Sequence, residues 1–160
     1  MSNQDVIKSV DESRTEQVHI VMPGDVNSSF RLFGGLLMQW IDVVAAVVAR
    51  RHAGCEVTTA SVDNLEFQAP AFANDTVVLE GRITCVGTTS MEVRVDTFVE
   101  ALGGKRHQVN RAYLVMVALN KDQKPVPVPK LILETDEDKA EWDAGMRRRA
   151  LRSLRQKENY

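Results

Sequence analysis

Cysteine is scarce in this sequence: Cys55 and Cys85 are the only two in a chain of 160 residues. Their separation rules out a CxxC metal or redox motif, and their number rules out the disulfide framework of a small secreted scaffold. Aromatic residues make up only 6% of the chain, and no internal repeat is present. Lys and Arg number 20 against 22 Asp and Glu, a formal net charge of −2. That balance lacks the basic field that drives sequence-independent nucleic-acid binding, which argues against nucleic acid as a partner. No apolar run reaches the roughly 18 residues of a membrane span, and the opening residues lack the basic-then-apolar order of a signal peptide. These absences lead to the expectation of a cytoplasmic protein in a reducing compartment. There is no GxSxG elbow and no Walker-type phosphate loop, so α/β-hydrolase and P-loop chemistry have no support. His19, His52 and His107 show no metal-ligand spacing, and no metal site is expected.

What is present is a 44% hydrophobic content at a length typical of one domain. A chain of this size buries about 70% of its unfolded surface and needs no staple. Residues 1–14 (MSNQDVIKSVDESR) are polar, of mixed charge and without apolar period, and are expected to form a flexible leader. A single domain is expected over 15–133 and a basic C-terminal helix over 134–160.

Residues 17–22 (QVHIVM) have the β-branched content of a strand, stopped by Pro23-Gly24-Asp25. Between 36 and 49 (LLMQWIDVVAAVVA) only Gln39 and Asp42 interrupt the apolar residues, and Arg50, Arg51, His52 and Gly54 mark a helix C-terminus. Apolar residues on nearly every side predict a helix covered on most sides. The chain then turns to period two. Val77, Leu79, Ile83 and Cys85 share one face of a strand over 76–86, and Met91, Val93, Val95, Thr97 and Val99 one face of a strand over 90–100. A hairpin at Gly87-Thr88-Thr89 joins them. Gly103-Gly104 leads into 109–119, whose apolar centre predicts burial on both faces or cover by a partner. With 57–67 this makes about five strands and one central helix, an α+β arrangement. Pro125, Pro127 and Pro129 predict an extended segment that leaves the core, because proline lacks the ladder N–H. In the tail, Trp142, Met146, Ala150 and Leu154 recur at helical spacing among several arginines, the pattern of a basic amphipathic helix.

Asp42 stands out because an ionised carboxylate in an apolar helix is costly to bury unless paired or hydrogen-bonded. It is either a general base, its pKa raised by burial and reached from a cleft, or a structural carboxylate bonded to a neighbouring loop or subunit. Gly34-Gly35 opens the same helix. The pair either lets a substrate approach free N–H groups at the positive end of the helix dipole or serves packing alone. Asn27 either orients water or a carbonyl, or closes an ordinary Asx turn.

Taken in order, Asp25-Val26-Asn27, Phe33-Gly34-Gly35, Trp40-Ile41-Asp42, TTASVDNLEF from Thr58, GTTSMEV from Gly87 and VPVP from Val126 resemble the hotdog-fold acyl-CoA thioesterases, acyl-CoA hydrolase subgroup. The resemblance runs over about residues 15–155. It implies an antiparallel sheet of about five strands wrapped around one helix, plus the C-terminal helix. It also implies hydrolysis of an acyl-CoA to free acid and CoA, with Asn27 and Asp42 supplied to one substrate by two subunits. Gly34 and Gly35 then polarise the carbonyl. A dimer, assembled further as a trimer of dimers, is expected, and no metal or covalent cofactor is required.

The phosphates of CoA call for N–H, hydroxyl and cationic groups. The turn Gly87, Thr88, Thr89, Ser90 is the expected seat, with Arg147, Arg148 and Arg149 as cations unless they form a solvated face, and with the Thr59 and Ser61 hydroxyls as further candidates. Phe30 stands where many relatives have glycine, which puts bulk and poor tolerance of positive φ into the Asn27 loop. The rival from another class is a non-catalytic hotdog module that binds acyl-CoA as a sensor. Retention of both Asn27 and Asp42 favours the enzyme. A hotdog dehydratase would want a histidine in the central helix interior or its entry loop, and none of the three histidines falls there.

Overall fold

The computed structural model describes residues 3–160. Its elements in chain order are β1 (Ile7–Ser9), β2 (Thr15–Ile20), α1 (Gly34–Ala53), β3 (Glu56–Phe67), β4 (Thr76–Val86), β5 (Ser90–Glu100), β6 (Arg106–Leu119), β7 (Lys130–Ile132) and α2 (Asp136–Lys157). Five strands form one antiparallel sheet in the order β2-β4-β5-β6-β3, and β1 pairs in parallel with β7. The sheet wraps α1 on its inner face, as the hotdog resemblance implies, and carries α2 on its outer face.

Period-two alternation supplies the inner face. Val77, Leu79, Ile83, Val93, Val95 and Leu114 are buried there against Ile41, Val44, Ala45 and Val48 of α1. Gly81 is the point of closest approach: a Cβ there would lie 2.7 Å from Val44 and 2.8 Å from Val48, so only glycine lets the helix settle onto the sheet. At its far end α1 stops at Gly54, whose φ of 70° is the left-handed C-cap geometry and whose N–H donates to the Arg50 carbonyl.

The outer face is built differently. Thr135 caps α2 through a capping box with Asp138. The helix lies on the strands through ion pairs: Arg82–Asp138 at 2.7 Å, Arg94–Glu141 at 2.7 Å, Arg148–Glu92 at 2.7 Å, Arg152–Glu92 at 2.8 Å and Arg155–Asp63 at 2.8 Å. Gly145 touches the sheet, where a Cβ would sit 2.7 Å from Cys85 Sγ.

Three readings of the sequence need correction. Residues 3–14 of the expected leader are part of the fold, since β1 pairs with β7 and Val10 and Ser13 are buried; residues 1 and 2 lie outside the described residues. One buried valine in a polar stretch sets no period, so the pattern concealed it. The proline segment stays with the core. Prolines alternate with valines there, and the valines keep their N–H groups: Val126 donates to Ala118, Val128 to Thr88, and Val128 is buried. Cys85 does not share a face with Ile83, because a bulge between them turns it toward α2. The helix α1 is covered on most sides and leaves Met38, Gln39 and Val43 exposed. The expected basic C-terminal helix is present as α2; it docks through its arginines and leaves Met146, Ala150 and Leu154 exposed. The carboxylates of Asp63 and Glu92 on the outer sheet face reward a cationic helix face over an apolar one.

Candidate active site

The loop entering α1 is held by its own backbone. The N–H of Asn27 donates to the Arg31 carbonyl (2.8 Å), that of Phe33 to Asp25 (2.8 Å) and that of Leu32 to Ala71 (2.7 Å). Asn27 Oδ1 accepts from the N–H groups of Ser29 (2.9 Å) and Arg31 (3.2 Å). The Asx turn uses Oδ1 and leaves the Nδ2 donors available. Phe30 completes the turn at φ 60° with its ring exposed. The backbone thus takes the left-handed conformation that glycine adopts freely, and phenylalanine bears it at a cost.

At the head of α1 the N–H groups of Leu36 and Leu37 both donate to Phe33, and those of Gly34 and Gly35 have no acceptor among the described residues. The two glycines also serve packing. A Cβ on Gly35 would fall 2.7 Å from the Phe33 ring, and one on Gly34 would fall 3.3 Å from the Phe67 ring.

Asp42 lies two turns further along, half-buried. The Thr59 hydroxyl on β3 donates to its Oδ1 at 2.6 Å. Thr59, read from the sequence as a CoA contact, is thus a partner of the carboxylate. Asp42 and Gly35 line a cavity of about 280 Å³ walled by Met38, Ile41, Leu65 and Leu114. Asn27 and Gly34 line a different cavity, of about 320 Å³, with Leu37, Phe67 and Gln68. Within one chain, then, the acid and the amide open into separate cavities.

The expected CoA seat divides. Gly87 donates to Ser90 across the turn (2.8 Å), and the Thr88 and Thr89 carbonyls accept from Val128 and Ala118. The guanidinium of Arg149 lies over this turn, 2.8 Å from where a Gly87 Cβ would be. Gly87, Thr88, Thr89, Ser90 and Arg149 are therefore together. Arg148 is not with them: it is committed to Glu92 and stacked 3.6 Å over the Tyr113 ring. Arg147 is exposed, and Ser61 opens onto Arg152 and Arg155 at the end of α2. The sequence reading missed Arg31, which lines the Asn27 cavity. Its only signal was a lone cation four residues after the motif asparagine.

The Thioesterase superfamily profile matches residues 31–103. The chain is 43% identical over 128 residues to the uncharacterized acyl-CoA thioester hydrolase YkhA of Bacillus subtilis, covering 79% of this chain and 74% of that protein. A hexameric acyl-CoA thioesterase superposes with a TM-score of 0.90 at 37% identity, over 94% of this chain and 97% of that one. An acyl-CoA hydrolase from Staphylococcus aureus, in complex with butyryl coenzyme A, coenzyme A and coenzyme A disulfide, superposes at 0.91 with 35% identity, over 96% and 94%. Alanine variants of that enzyme at an aspartate, a threonine and an asparagine superpose equally well. With 43% identity to YkhA across most of both chains, and the profile running through α1, β3, β4 and β5, this protein belongs to the thioesterase superfamily.

Proposed function

We propose that this protein hydrolyses acyl-CoA thioesters at a site shared by two protomers, with Asp42 of one facing Asn27 of the partner subunit. The observation that carries this reading is the separation of Asp42 and Asn27 into two cavities, each holding half of a reacting centre. The surface around Asp42 suits a subunit contact. Met38 and Val43 flank it exposed, and β3 is an edge strand of the sheet with Val62 and Phe67 exposed. An uncovered apolar edge of this kind is a template for pairing with a second copy. Further assembly as a trimer of dimers has its support in the hexameric relative.

The chemistry follows from which atoms are free. Thr59 occupies Asp42 Oδ1, so Oδ2 takes the proton as a water attacks the thioester carbonyl. Asn27 has committed its oxygen, so it acts as a donor, its Nδ2 polarising the carbonyl. The free N–H of Gly35 sits at the positive end of α1 and stabilises the oxyanion as it forms. Collapse of the tetrahedral intermediate breaks the C–S bond and releases CoA thiolate, a good leaving group, leaving the free acid. No metal or covalent cofactor enters these steps. The turn at Gly87–Ser90 and Arg149 take the CoA end, and the cytoplasm is the compartment of the substrate.

The test is thiol release from a panel of acyl-CoAs by the wild type, Asp42→Ala and Asn27→Ala, each checked for intact assembly. Asp42→Ala is expected to lose about 10²- to 10⁴-fold in kcat, and Asn27→Ala about 10²- to 10³-fold. Full turnover by an assembled Asp42→Ala variant rejects the base. In a single turnover in ¹⁸O-water, label in the Asp42 carboxylate demonstrates an anhydride opened by water at the Asp42 carbonyl, a result that direct water attack, which labels only the product acid, does not give.

A further inference from the structure

The two cavities differ in charge, and the difference falls on a residue given no role above. The Asp42 cavity is apolar apart from Gln39 and the carboxylate itself, which repels an anion. The Asn27 cavity has one charged residue in its lining, Arg31, set among the amides of Asn27 and Gln68 and apolar walls. Arg31 is exposed, and its guanidinium has no hydrogen bond or ion pair among the described residues. That sets it apart from most arginines of this chain, since Arg82, Arg94, Arg106, Arg111, Arg148 and Arg152 all hold carboxylates. Nor is its position loose. Its N–H donates to Asn27 Oδ1, its carbonyl accepts from the Asn27 N–H, and its backbone bridges to Phe72. The Arg31 backbone is thus fixed to Asn27 and both residues line one cavity, which puts the guanidinium within the surroundings of a ligand at the asparagine amide.

Resting on the reading that Asn27 touches the scissile carbonyl, we propose that Arg31 is a specificity-determining residue that receives an anionic oxygen group of the substrate. The chemistry is a carboxylate or a phosphate held by a planar, permanently charged fork beside apolar walls. Two sources supply such a group. One is a carboxylate at the far end of a short acyl chain, a few bonds from the thioester. The other is a phosphate of CoA, which lies at the end of the long pantetheine arm and reaches Arg31 only if that arm folds back.

Three probes separate the sources: succinyl-CoA, butyryl-CoA and butyryl-pantetheine, each turned over by the assembled wild type, Arg31→Gln and Arg31→Lys. If Arg31 takes an acyl carboxylate, Arg31→Gln lowers kcat/KM for succinyl-CoA relative to butyryl-CoA by about tenfold or more. If it takes a CoA phosphate, both CoA thioesters fall relative to butyryl-pantetheine by a similar factor. Arg31→Lys restores part of either ratio, because it keeps the charge and loses the fork. Equal changes on all three probes, or none, overturn the proposal. Asp42→Ala tests the underlying site separately: it removes turnover of every probe if that reading is right, whatever Arg31 does.

Discussion

The same sheet holds two helices by two different kinds of force. On its inner face α1 buries aliphatic side chains, and Gly81 lets the helix come close enough for them to interlock. On its outer face α2 is held by Glu92, Asp63 and Asp138 against Arg148, Arg152, Arg155 and Arg82. The Glu92 side chain is 1% exposed and meets two arginines and the Thr84 hydroxyl. Apolar contact is undirected and insensitive to pH, whereas a buried ion pair is strong only while every member is present. The inner layer therefore supplies a fixed support for the site, and the outer layer supplies a conditional clamp on β3, the strand that carries both Asp63 and Thr59.

The largest effect is expected where that clamp loses its centre. Glu92→Ala leaves two guanidinium groups without their shared carboxylate, and breaking a buried pair from one side costs about 3–5 kcal/mol. Cys85 provides a local reading. Burial, and Glu92 beside it, push its thiol up to about 11, so it should resist alkylation while α2 is docked. In a Cys55→Ser background, Glu92→Ala is expected to speed Cys85 labelling sharply. Replacing Glu92, Arg148 and Arg152 together with methionine or leucine should cost far less, since no orphan charge remains. If the single change left Cys85 protected, the outer layer would be held by something other than these pairs.

The inner layer breaks by steric means. Gly81→Ala places a methyl within van der Waals distance of Val44 and Val48 and should cost about 1–3 kcal/mol of overpacking. Urea denaturation measures it, as a lower midpoint at unchanged slope. Salt should leave this loss alone while weakening the partly exposed pairs of the outer layer.

This contrast bears on what the sequence disclosed. Period two located β4 and β5 to the residue, and the apolar run of α1 located the central helix, because each pattern reports burial against one face. The docking of α2 stayed hidden for the same reason: Glu92, Asp96 and Arg94 alternate with valines and read as a solvated face, whereas the structure covers them. In the site, Asn27, Asp42 and the glycine pair emerged through the order of short motifs. The bond from Thr59 to Asp42 crosses from one element to another, and a local pattern does not carry it. Arg31 is a single loop cation with no period around it, so its place in the Asn27 cavity needed coordinates.

The smallest expected effect, on acid stability, divides the two layers most finely. His52 is buried at the end of α1, with its Nε2 bonded to the Pro129 carbonyl at 2.8 Å and no partner for Nδ1 among the described residues. Burial pushes its pKa below the usual value, and the Pro129 carbonyl only partly opposes this. The unfolded chain takes up that proton near pH 6.5, before the folded one does. Stability is therefore complete above that pH and falls as pH drops below it, down to the lowered folded value. The outer layer has the same sign in a lower pH range, but a different cause. Burial disfavours ionised Asp63 and Asp138, but hydrogen bonds from Arg155 and Arg152 to the first outweigh it. For the second, the N–H groups of Glu134 and Thr135, together with Arg82, do the same, and both carboxyls are held low. Their contribution stands above about pH 3.9 and is lost as pH falls through the lowered folded values. Denaturation across this range should show two declines, a mild one starting near neutrality and a second in strong acid. His52→Gln keeps a side-chain donor and removes the titration, so it should flatten the first decline alone. His19, also pushed down by burial and stacked on Trp40, is the other inner-layer source, and His19→Gln apportions what remains. A first decline that survived both substitutions would belong to the outer layer, and the division of the sheet into a fixed face and a conditional one would fail.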